Sequence, residues 1–185
     1  MMAGLHVAKV ELSVKVAVPV ALLQKHLPAP IDKLGAQLAE ETHKVVMRDS
    51  LGYYPALDYF KESGAIPGYL LDAVDEVATL ATALATDQIN EMLVPVFSNV
   101  TVNSVQCLAF ALPTVRPGKP NAREELASHY TPNVLKLELI VSVLQKHEPE
   151  ESFERYADNT VFRLLGEVFE SVEISSARLL PENDE

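Results

Sequence analysis

Glu40 and His43, three residues apart, are the closest this sequence comes to a metal motif. On a helix that spacing projects both side chains together, and di-iron bundles use two such pairs plus two further glutamates. The second pair is missing here. Glu125 and His129 are four apart, and Asp72 and Asp75 have no histidine beside them. A helical wheel sets Glu40 opposite Leu34 and Leu38, aimed at water. No metal ligand is assigned. The five histidines are scattered, and a general base needs an orienting partner that spacing does not reveal. Cys107 stands alone in an apolar stretch, the setting of an ordinary buried thiol rather than a reactive thiolate. It allows no intramolecular disulfide, and a cysteine zinc site would lack ligands. The closest glycines are Gly64 and Gly68, too few for a phosphate-cradling loop or a dinucleotide fingerprint, and no nucleophile elbow occurs. No catalytic residue and no cofactor are assigned.

Two charged stretches and one aromatic stretch remain as candidate contact sites. Arg116, Lys119 and Arg123 concentrate positive charge on a Pro- and Gly-containing segment of an acidic chain. Glu148, Glu150, Glu151 and Glu154 form an acidic counterpart. Complementary patches steer association, so the first could dock on the second in a neighbouring copy, a head-to-tail contact. Tyr53 and Tyr54 begin an aromatic run continued by Tyr59, Phe60 and Tyr69. Such rings either cap a core between helices or serve a partner or ligand surface.

The charge balance limits the partners. With 26 acidic and 15 basic residues the net charge is -11, which repels nucleic acid phosphates and anionic membranes. Neither is an expected partner. Met1–Ala8 lacks a basic segment leading into an apolar core, and no uninterrupted apolar run approaches a membrane span. The expectation is a cytoplasmic protein; a virion component made in the cytoplasm would read the same way.

The elements that must position these residues follow from periodicity. Val10, Leu12, Val14, Val16, Val18 and Val20 alternate with polar or small residues, which predicts a strand over Val7–Val20. Pro19 predicts that its end lies at an edge or leaves the sheet. Pairing of that strand with a neighbouring subunit is the alternative to pairing within the protein's own sheet. Asp32–Met47 has helical spacing. Pro55–Ser63 reads as a short helix closed by Gly64. Pro67–Leu93 predicts a long helix with Leu70, Val74, Val77, Leu80, Ala81, Leu84 and Met92 on an apolar side about half the circumference wide, broad enough for partners on two sides. Asn99–Leu112 reads as a central strand and Asn121–His129 as a short helix. Val134–Leu144 is a strand, Pro149–Tyr156 an acidic helical patch. Asp158 or Asn159 caps a last helix carrying Val161, Phe162 and Leu165. Val172–Leu180 reads as a final strand, and residues 181–185 as a solvated acidic tail. Lys9-Val-Glu-Leu12 resembles Lys136-Leu-Glu-Leu139, either because the two strands are equivalent or by chance.

Together these predict one α+β domain: a mainly antiparallel sheet of three or four strands packed on a long buried central helix and a second amphipathic helix. The functional expectation is a non-enzymatic interaction or assembly protein that self-associates; a phage or virus structural component fits the same features. The alternatives are an enzyme with a dispersed, motif-free site, built on His43 or His129 and nearby carboxylates, and a small-molecule sensor holding its ligand near Tyr53–Tyr69.

Overall fold

The computed structural model describes residues 7–27, 30–54, 57–107, 118, 120–122, 124, 133–144 and 152–181. It is an α+β fold with a four-stranded antiparallel sheet. The chain forms two compact units. One comprises residues 1–19, 82–106 and 135–185; the other comprises residues 20–81 and 107–134.

The sheet belongs to the first unit. Its strands are β1 (Val7–Ala17), β2 (Asn99–Cys107), β3 (Val134–Leu144) and β4 (Ser171–Leu179), in the order β2-β3-β1-β4. The period-two pattern dictates the facing. Val10, Leu12, Val14 and Val16 are fully buried on β1, as are Leu135, Leu137, Leu139 and Val141 on β3. The Lys-x-Glu-x repeats are equivalent in this respect. In both strands the residue types run exposed, buried, half-buried, buried. β1 is an interior strand that leaves the sheet after Ala17, before Pro19, and Val20 opens the short helix α1 (Val20–Gln24). It pairs on both sides within its own sheet. β2 is at an edge, not the centre, and none of Asn99–Gln106 is buried.

β4 pairs antiparallel with β1, Val16 opposite Val172 and Val10 opposite Leu179. Its apolar residues, Val172, Ile174, Ala177 and Leu179, are spaced two, three, two. A strict strand would turn the last two to the wrong face. A bulge absorbs the extra residue: Ser13 pairs with Ser176 and Val14 with Ile174, leaving Ser175 unmatched. The Ser175 hydroxyl donates to the Ser13 carbonyl at 3.3 Å.

One helix, α5 (Phe153–Leu165), packs on β4 and β1. It starts earlier than the sequence suggested. Ser152 caps it by accepting from the Arg155 N–H at 3.1 Å, so Asp158 and Asn159 are interior positions. Ala157, Val161, Leu164 and Leu165 are buried, whereas Phe162 is exposed. Its far end leads back to the sheet, where the Glu170 N–H donates to the Ala17 carbonyl at 2.9 Å.

The second unit is helical in its described residues. Helix α2 (Ile31–Arg48) begins where the Gln24 side chain accepts from the Ile31 N–H at 2.8 Å. Helix α3 (Leu57–Ser63) ends at Gly64, whose positive φ of 65° suits a residue without a Cβ. Leu38, Val45, Val46, Tyr54, Phe60, Ile66, Leu70 and Val74 form its core.

Helix α4 (Gly68–Leu93) crosses from one unit to the other between Ala81 and Thr82. Its buried residues are Leu70, Val74, Val77, Ala81, Ala85, Ile89 and Leu93. Leu80, Leu84 and Met92, expected on that face, are half-buried. The stripe advances mostly in steps of four, and each such step overshoots a helical turn by about 40°. The face centred on Leu70–Val77 is therefore turned about 90° from the face centred on Ala85–Leu93. The wide apolar arc is used in two portions, one along each half of the helix.

Candidate functional site

Among the described residues, two groups of side chains are candidates for a site, one in each unit. In the helical unit, the end of α2, the turn after it, α3 and the start of α4 carry Met47, Tyr53, Tyr59 and Tyr69. All four are exposed, Tyr69 at 69%, Met47 at 61% and Tyr53 at 59%. Each follows or precedes a buried residue: Val46 before Met47, Tyr54 after Tyr53, Phe60 after Tyr59, Leu70 after Tyr69. The buried neighbour pins the backbone at each position while the exposed side chain stands in solvent. Tyr59 packs edge-on against Phe60, ring centroids 5.4 Å apart. It lies within electrostatic reach of Arg48, whose guanidinium forks onto Asp49 at 2.9 and 3.1 Å.

Tyr54 is a core residue rather than a surface one. It is 2% exposed, and its hydroxyl sits 2.9 Å from Nδ1 of the half-buried His43. The polar tip of a buried tyrosine needs a partner, and one turn of α2 supplies it. A histidine held by a phenol is an orienting arrangement, but the partner is a tyrosine, not the carboxylate the enzyme alternative invoked. Glu40 is exposed, as its wheel position suggested. Among the described residues, no group of three or more metal-ligating side chains converges.

In the sheet unit, the face opposite the core carries Lys9, Glu11, Ser13 and Lys15 from β1, Lys136 and Glu138 from β3, and Glu173 and Arg178 from β4. Glu11 and Arg178 are register partners joined by an ion pair of 2.5 Å. Ser13 donates to Glu138, at 2.7 Å from the nearer oxygen. Val14, Lys15, Lys136, Glu173 and Ser175 line a shallow depression of about 210 Å³. Position in sequence gave no sign of this grouping; it follows from strand pairing.

Of the charged residues singled out earlier, Arg116, Lys119, Arg123, Glu148, Glu150 and Glu151 lie outside the described residues. Glu154 is exposed in the first turn of α5. The expected strand residues 108–112 and the tail residues 182–185 also lie outside them, as does the Cys107 side chain. Among the described residues, no helix is long and apolar enough to cross a membrane. No protein-family model, no curated protein and no solved structure matches this chain.

Proposed function

We propose that this chain is an interaction or assembly protein that works by self-association rather than by catalysis. The supporting observation is the set of exposed rings on pinned backbone: Tyr53, Tyr59 and Tyr69, with Met47, each beside a buried neighbour in the helical core. Tyrosine and methionine are enriched at protein contacts because they bury a large area while keeping a polar or adaptable tip. Truncating such anchors is what costs an interface most.

Light scattering coupled to size exclusion tests this over a range of concentrations. The wild-type chain should form oligomers that dissociate on dilution. The Tyr53→Ser/Tyr69→Ser double variant should associate at least about tenfold more weakly while keeping its thermal midpoint, because both rings are exposed. A wild-type chain that is monomeric at every concentration rejects self-association. A double variant that assembles like wild type rejects the tyrosine surface.

A further inference from the structure

The two edges of the sheet, β2 and β4, are built differently. An edge strand presents a row of unpaired N–H and C=O groups, which proteins blunt with charges, prolines or bulges. β4 has such devices: Glu173, Arg178 and the bulge at Ser175. β2 reads Asn-Val-Thr-Val-Asn-Ser-Val-Gln-Cys, without a charge or a proline. β1 carries Lys9, Glu11 and Lys15, and β3 carries Lys136 and Glu138. β2 is therefore the uncharged strand of the four, in a chain of net charge -11.

The outer backbone of β2 is open. Among the described residues, no hydrogen bond outside the ladder to β3 reaches a backbone group of Asn99–Gln106. Its apolar side chains are also under-covered. Val100, Val102 and Val105 are half-buried, whereas Val10, Leu12, Val14 and Val16 on β1 are fully buried.

We propose that β2 pairs antiparallel with β2 of a second copy, about a two-fold axis perpendicular to the sheet, so that two four-stranded sheets become one. The inference rests on the self-association reading and adds to it an interface made of residues other than the tyrosines. Three features favour a second copy over an unrelated extended segment. An edge strand turned by 180° is complementary to itself, each donor row meeting an acceptor row. Self-pairing doubles any net charge across the axis, and like charges opposite one another destabilise a ladder, so a neutral strand suits it. An unrelated partner would be selected by charge at this edge, and β2 offers none. The axis also keeps each sheet face on its own side, so the half-buried valines of the two copies lie alongside one another and cover each other. Both β4 edges end outermost, and their charges and bulges stop further growth.

Opposite charges placed on β2 test it, read by light scattering. Thr101→Lys/Asn103→Lys and Thr101→Glu/Asn103→Glu alter exposed side chains and should keep the thermal midpoint. Each alone should associate roughly tenfold or more weakly than wild type, because the two-fold brings like charges together. Mixed in equal amounts they should recover association, since the lysines of one β2 then meet the glutamates of the other. The neutral Thr101→Gln/Asn103→Gln variant should associate like wild type. Asn103→Lys and Asn103→Glu alone repeat the comparison if a double substitution unfolds. If the wild type assembles and both charged variants assemble equally well, β2 pairing is wrong and the assembly reading stands. If only one sign of charge weakens assembly, or if both do and the mixture does not recover, β2 meets something other than β2 and the proposal is overturned. A wild-type chain that stays monomeric at every concentration overturns both.

Discussion

Ser13 on β1 donates its hydroxyl proton to the carboxylate of Glu138 on β3, 2.7 Å from one oxygen and 2.9 Å from the other, across 125 residues of sequence. The contact sits on the half-buried middle of the polar sheet face and aligns the strands that bring Lys15 beside Lys136. Ser13→Ala should therefore cost about 1 kcal/mol, the ordinary net contribution of a hydrogen bond exchanged with water. Urea unfolding of both proteins measures it. An unchanged midpoint would mean that water replaces the hydroxyl without loss.

The turning stripe of α4 makes a graded prediction. Leu70 and Ile89 are within 2% of full burial, one in each half of the helix, so alanine at either should cost about 2–5 kcal/mol. Leu84 is half-buried, and Leu84→Ala should cost less than about 2 kcal/mol. A Leu84 variant as damaged in thermal or urea unfolding as the Ile89 variant would contradict the rotation of the buried face.

Asp49 titrates below the ordinary carboxylate range, chiefly because Arg48 hydrogen-bonds its carboxylate, with the guanidinium charge adding to it. A lowered folded-state value means that this pair stabilises the fold above the unfolded Asp value of about 3.9, and that the contribution fades as pH falls through the lower folded value. The pair lies at the surface, so solvent keeps the effect small. In a carboxyl NMR titration, Asp49 should show a depressed midpoint that returns to the ordinary range in Arg48→Ala. A midpoint indifferent to that substitution would show that the fork does not persist in solution.

Much of the secondary structure was legible from spacing. Val10 to Val16, and Leu135 to Leu139, alternate with polar residues, and only a strand with one covered face satisfies that pattern. Ile31–Arg48 and Gly68–Leu93 came within a residue or two of their expected bounds because apolar spacing, Pro30 and Pro67 mark them. The start of α5 was expected too late because Asp158 and Asn159 are good caps in isolation, whereas Ser152 makes the bond. Even the β4 bulge left a trace in the spacing of Ile174 and Ala177.

By itself, the order of residues determined which segments coil or extend and which side of each is apolar, because those depend on neighbours a few positions away. Only the tertiary structure decided that β1 is interior, that Tyr54 is buried on His43 while Tyr53 stands in solvent, and that Lys15 and Lys136 share a depression. Each of these depends on which distant segments pair. Period-two or helical spacing specifies a face to be covered, not the segment that covers it.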